Sequence, residues 1–265
     1  MLYTDQLFRP IEVKNKPQRI ISTVPSQTEL LVDLGLEEYL VGITKFCIHP
    51  AHLKKNKNII GGTKNLNLEK IRSLNPDLII ANKEENTQSE IEALAQEFPV
   101  YISDIFNLQD AVQMIMQIGE ICQASLEAKN LIQIIKREFG NWNLVKKKKV
   151  FSAAYFIWRE PYMLATKNTF IDNMLLKAGF VNAFSNFERY PIISAADLKA
   201  ANPDVILLSS EPYPFKEKHR AEFQNICPNA HIQIVDGEMF SWYGSRLQYT
   251  AQYFQQLQHL LFNLE

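Results

Sequence analysis

Short apolar runs alternate with amphipathic stretches along most of the chain. Residues 19–23 form a β-rich run that ends at Pro25, and 40–44, 78–81 and 100–102 read as further strands. Helices are expected at 28–34, from Leu68 onward and over 88–97. Such alternation of strand and helix predicts a parallel sheet with helices on its faces. From 108 to about 139 the pattern changes: Val112, Ile115, Gly119, Cys122, Leu126, Leu131, Ile134 and Ile135 keep near-helical spacing without a proline. One long helix is expected there, with a break near Ala124-Ser125; about 30 residues at 1.5 Å each would span roughly 45 Å. Strands at 150–157 and 232–235 follow, and a closing helix carries Leu247, Ala251, Phe254, Leu257 and Leu261 on one face, its glutamines and His259 facing solvent.

The pattern is also repeated. Residues 71–80 return as 198–207, each copy an amphipathic helix stopped by Asn-Pro-Asp, at 75–77 and 202–204, and turned into an apolar strand. Proline disfavours helix in the residue before it, and Asp suits a turn. Upstream, Thr28 to Gly35 and Asp172 to Gly179 match as helices closed by a glycine C-cap. A repeat of this length implies two similar lobes rather than a solenoid. The expected division is an α/β lobe at 1–106, a connecting helix at 107–140 acting as a stiff spine, and a second α/β lobe at 141–265, with a ligand held between the lobes.

With 265 residues, 46% of them hydrophobic, the chain can fill two cores of ordinary size. The net charge of −1 argues against nucleic acid, whose phosphates require concentrated Lys and Arg. The one basic run, at 146–149, reads as a solvated loop before a strand. No apolar segment approaches the roughly 20 residues that cross a bilayer. The first residues show neither a basic n-region nor an apolar h-region, so no secretory signal is visible. Cys47, Cys122 and Cys227 lack a C-x-x-C pair and read as buried small hydrophobes.

In open parallel sheets ligands bind beyond the carboxyl ends of the strands. The loops expected there carry Phe46, Cys47, His49, Thr63 and Lys64 in the first lobe. In the second they carry Trp158, Tyr162, Tyr190, Glu211, Tyr213, Glu238, Phe240, Trp242, Tyr243 and Arg246. Aromatic rings crowded onto loops would leave an apolar patch in water unless a large, flat ligand covered them, and Tyr and Trp add a polar handle. Cys47 and His49 on one loop suggest a metal contact, such as a lower-axial bond to cobalt or iron in a macrocycle, but two ligands do not make a site. Gly61-Gly62 lacks nucleotide-loop spacing and reads as a turn. Ser26 lacks the G-x-S-x-G context of a nucleophile and reads as the N-cap of the helix after it.

Val24-Pro25-Ser26-Gln27-Thr28-Glu29, Val41-Gly42-Ile43-Thr44, Asn67 to Ile71, both Asn-Pro-Asp turns and residues 236–246 resemble the vitamin B12 (cobalamin) substrate-binding proteins of ABC importers, and more broadly the helical-backbone metal receptors. The resemblance covers nearly the whole chain. It implies an α/β fold of two Rossmann-like lobes with parallel sheets joined by a single long α-helix, a metal chelate in the cleft, and docking onto a membrane permease. By that resemblance Phe46 matches an aromatic that faces the corrin, Tyr162 and Tyr190 match aromatics on the facing lobe, Glu238 and Arg246 match an acid and an arginine of the last binding loop, and Glu69 matches a glutamate that pairs with permease arginines. Two positions depart from the pattern: Thr63 and Lys64 stand where a stacking tryptophan belongs, and Ala196 stands at the second docking glutamate, with Asp197 beside it.

The expectation is therefore a monomeric, non-enzymatic substrate-binding protein without a cofactor, carrying a cobalamin-like corrinoid, or another metal chelate such as haem or a ferric siderophore, to an ABC permease. Resemblance places it in the periplasm or cell envelope. With no visible signal, the alternative is a cytoplasmic protein or enzyme handling corrinoids and tetrapyrroles.

Overall fold

A computed structural model describes residues 1–145 and 150–262; the basic run at 146–149 lies outside the described residues. The chain forms two compact units, one made of Met1–Ile105, Gln109–Ile134 and Tyr243–Arg246, the other of Phe106–Leu108, Ile135–Trp242 and Leu247–Glu265.

The first unit is built on a five-stranded, wholly parallel sheet in the order Asn58–Ile59, Leu40–Ile43, Ile20–Ser22, Leu78–Asn82, Val100–Ser103. Its inner strands are continuous apolar runs because helices cover both faces; Ile21, Ile79, Ile71, Ile91 and Leu94 share one core. The edge strand Asn58–Ile59 is too short to show a period in sequence. Ser26 is not the N-cap expected of it. The helix begins earlier, at Pro25, with Val24 as its cap residue and Ser26 buried in the first turn, because proline at the first helical position loses no hydrogen bond.

In the second unit Phe151–Trp158 pairs in parallel with Val205–Ser209, which pairs in parallel with His231–Val235. The other edge of Phe151–Trp158 is shared by Phe180–Asn182, parallel, and Tyr162–Leu164, antiparallel, and Ile192–Ile193 adds a further antiparallel strand. The parallel sheet expected here thus carries an antiparallel border. Only residues 159–161 separate Trp158 from Tyr162, too few for a crossover, so the chain must reverse as a hairpin.

The sequence repeat has a structural counterpart. Asn75 and Asn202 both take left-handed backbone, φ 42° and 41°, ending their helices. Asp77 then accepts from the backbone N–H groups of Gln18 and Arg19 at 2.7 and 2.9 Å, and Asp204 from that of Ser152 at 2.7 Å. In each unit the aspartate that precedes one strand ties down the start of its neighbour. Gly35 and Gly179 close the matched upstream helices with φ 74° and 91°, a region that favours glycine.

The long helix expected over 108–139 is two helices, Leu108–Ile121 and Ser125–Val145. They part where the break was expected: Gln123 has φ 54°, and the Ala124 N–H turns back to the Gly119 carbonyl at 2.7 Å. The second helix, 21 residues, passes from the first unit into the second. Its length is about 32 Å rather than 45 Å. Among the described residues no helix is long and apolar enough to cross a membrane.

Candidate functional site

The carboxyl ends of the first unit's strands are knit by a buried polar network. Thr23 Oγ1 donates to Asn86 Oδ1 at 2.8 Å, Asn82 Nδ2 donates to Ser103 Oγ at 3.0 Å, and Gln27 Nε2 donates to the same hydroxyl at 2.6 Å. Asn86 Nδ2 reaches the Thr63 carbonyl at 3.0 Å, and the Lys64 ammonium donates to the carbonyls of Glu84 and Asn86. Buried polar groups need such partners, and the network joins these loops, with Gln27 Oε1 left without a partner among the described residues. Thr63 and Lys64 therefore brace the loop at 82–86.

On this floor sits the loop after Leu40–Ile43. Phe46 is 51% exposed, and the Lys45 ammonium lies over its ring, 5.1 Å from the centroid. Both side chains lie close against Gly62, where a Cβ would stand 3.2 Å from the Phe46 ring and 3.3 Å from the Lys45 chain. Gly61-Gly62 pairs with Asn65–Leu66 as a small hairpin, in keeping with a turn.

Cys47 does not share this exposure. It is fully buried, its sulfur 3.1 Å from the Thr28 hydroxyl and 3.3 Å from that of Thr44. Burial pushes its thiol above the ordinary value, against the hydroxyl bonds, and a metal needs the thiolate. His49, half-buried, follows on the same loop, and among the described residues no group of three His, Cys, Asp or Glu side chains could hold a metal ion. Arg246 is drawn inward as well: its guanidinium grips Glu29 through two bonds, Nε to Oε2 at 3.0 Å and Nη2 to Oε1 at 2.5 Å, within this unit. Desolvation raises the Glu29 carboxyl while Arg246 opposes it.

The second unit gathers a different group. Trp158, 41% exposed at the end of Phe151–Trp158, meets Tyr213 edge-on at 5.6 Å. Glu222 organises the surroundings: it accepts from the Tyr162 hydroxyl and, at 2.8 Å, from Arg159 Nε, while Arg159 also meets Glu160 at 2.7 Å. Burial and this bond push the Tyr162 phenol up to about 12. His219 Nδ1 accepts from the Lys216 N–H at 2.8 Å, and its other nitrogen lies 3.4 Å from the Tyr213 hydroxyl; desolvation holds its imidazole below the ordinary value. Tyr190 lies just before the outermost strand with Arg189 over its ring at 5.7 Å.

The remaining aromatics expected in the wall turn inward. Phe240 is 0% exposed, packed on Tyr155 and Phe254 at 5.0 and 4.9 Å, and Trp242 and Tyr243 are 7% and 6% exposed. Phe240 is a core residue because the short helix Glu238–Ser241 lays it on the sheet, whereas Tyr243 belongs to the first unit. Glu211 belongs with them, accepting from Ser241 Oγ at 2.6 Å and Trp242 Nε1 at 3.1 Å, with its carboxyl raised chiefly by desolvation. Glu238, half-buried, opens that helix, its N–H bonded to Asp236 Oδ1 at 3.1 Å.

Glu69 is exposed in the first turn of Leu68–Ser73. Asp197 is exposed too, but one carboxylate oxygen accepts from the Ser194 N–H and hydroxyl at 2.8 and 2.7 Å in a capping box that holds its carboxyl below the usual range. The structure thus brings together Phe46, Thr63 and Lys64 in one unit and Trp158, Tyr162 and Tyr213 in the other. Lys45 and Arg159 join them from the same expected loops, next to Phe46 and Trp158 in sequence, and His219 and Glu222 join them with no signal in the sequence.

An ABC transporter substrate-binding lipoprotein of Bacillus subtilis is 25% identical over 255 residues, 92% of this chain and 80% of the relative. A vitamin B12-binding protein of Pectobacterium carotovorum is 26% identical over 244 residues, 89% and 86% of the two chains. Among solved structures, a periplasmic haem-binding protein of Roseiflexus superposes with a TM-score of 0.77 at 22% identity, covering 93% of this chain and 98% of that one, a likeness of fold. The periplasmic binding protein model matches residues 20–225, well over half of the chain, and the chain belongs to that family.

Proposed function

We propose that this chain is the substrate-binding protein of an ABC importer and that it captures a metal chelate, cobalamin, haem or a ferric siderophore, for delivery to a permease. Relatives named for vitamin B12, for haem and for ABC substrate binding support the class. The observation that carries the reading is an exposed ring in each unit taken by itself, Phe46 in the loop after the parallel strand Leu40–Ile43 and Trp158 at the end of Phe151–Trp158. Rings of this kind stack on a flat guest and cost little entropy when they do. Capture requires complementarity and release, not chemistry. Glu69 is the group proposed to meet permease cations; Asp197, committed to its helix cap, is the weaker partner. Periplasm or cell envelope is the corresponding location.

Calorimetric titration of the purified chain with cyanocobalamin, haemin, an anionic ferric catecholate and ferrioxamine B tests the proposal. Saturable one-to-one binding in the sub-micromolar range is expected for one of them. Flat titrations with all four would remove the ligand class. For docking, Glu69→Ala should weaken association with the permease at low salt, and unchanged association would contradict that role.

A further inference from the structure

Resting on the chelate reading, we infer that Lys45 selects for an anionic guest, one that presents a carboxylate or catecholate edge beside the Phe46 ring. Lys45 is exposed, and among the described residues its ammonium meets no carboxylate; its neighbour is the Phe46 face at 5.1 Å. The contrast with Lys64, a cation of the same unit, gives this weight: its ammonium donates to the carbonyls of Glu84 and Asn86. An ammonium lying over a ring at an exposed site is held there only weakly, so it can turn to a guest. A flat guest covering Phe46 would take water from Lys45 as well. An uncharged guest would leave a desolvated charge without a partner, which is costly, whereas an anionic edge would form a charge-assisted hydrogen bond with it. The Lys45 chain and the Phe46 ring both lie against Gly62 of the hairpin, so charge and ring reach a guest together.

The test compares haemin with its dimethyl ester, in which two methyl groups remove the charge of the propionates, and a ferric catecholate with the cationic ferrioxamine B, against wild type, Lys45→Gln and Lys45→Arg of the full chain. Wild type should prefer the anionic member of a pair. Lys45→Gln should lose about tenfold in affinity for it, less than twofold for its partner, and most of the salt dependence, and Lys45→Arg should restore all three. If wild type prefers the ester, ferrioxamine B or uncharged cyanocobalamin, or if Lys45→Gln weakens both members equally or neither, the inference fails while chelate binding stands. If wild type binds none of these probes, the chelate reading itself falls and the inference with it. Unchanged thermal melting of the variants shows that lost affinity is not lost fold.

Discussion

Replacing Phe46 with alanine separates a ring that waits for a guest from a ring that fills a core. A phenylalanine carries about 200 Å² of surface. With 51% of the residue exposed, about 100 Å² is open to a ligand, worth at most about 2.5 kcal/mol at 25 cal/mol per Å². A flat guest covering one face would claim about half of that. The expected loss of affinity for Phe46→Ala is then about eightfold to sixtyfold, taking 1.4 kcal/mol per decade. Stability should change by less than about 1 kcal/mol, as for other half-exposed sites. The control is Phe240→Ala, at a ring with no exposure, where a cavity should cost about 3–5 kcal/mol and lower the melting temperature by about 10 °C. Calorimetry with the tightest-binding chelate and thermal melts measure both quantities. A Phe46→Ala protein that binds normally but melts as early as Phe240→Ala would refute the reasoning.

The Glu211 carboxyl holds its proton to higher pH in the folded chain than its ordinary value of 4.5, because burial outweighs its bonds from Ser241 and Trp242. The contribution of Glu211 to folding stability is therefore full below 4.5 and is lost as pH rises through the raised value. Glu211→Gln keeps an acceptor oxygen and removes the buried charge, so its advantage in melting temperature over wild type should grow from pH 4.5 to 7; a difference that stays flat would contradict this. Glu29 and Arg246, with side chains 13% and 12% exposed, form a nearly buried pair, and Glu29→Ala should cost about 3 kcal/mol in denaturant unfolding. In a double-mutant cycle with Arg246→Met the two changes should be strongly non-additive, and simple additivity would deny the pairing. Cys47, Cys122 and Cys227 are all buried, and the Cys122 thiol is pushed up to about 12. A disulfide reagent should leave the native chain unlabelled over minutes and react with all three once it is unfolded. Rapid labelling of the native protein would show that a thiol lies nearer the surface.

What could be read in the sequence is what local physics decides. Ile20–Ser22 and Leu78–Asn82 read as buried strands because each opens on an apolar run, Ile20-Ile21 and Leu78 to Ala81, and Asn75 and Asn202 end helices through their own backbone preference. The closing helix buries Leu247, Ala251, Phe254, Leu257 and Leu261 as its period predicts. Loops have no period. Nothing local shows that Phe240, Trp242 and Tyr243 face inward while Trp158 faces out, since that depends on how the short helix Glu238–Ser241 packs on the sheet. Long-range pairings were equally hidden. Glu222 lies more than sixty positions from Arg159 and is found only when the fold places Arg220–Ile226 beside the hairpin. Ser26 misled because its residue type suits a cap, while the proline before it had already opened the helix.

Anomalous diffraction at the metal edge, from crystals grown with the tightest-binding chelate, bears most directly on whether this chain is a chelate carrier. The account predicts one strong metal peak, with the chelate ring in van der Waals contact with Phe46 and its acidic edge within hydrogen-bond distance of Lys45. A metal peak away from the loop that carries these two residues, or no peak from saturated crystals, would contradict it.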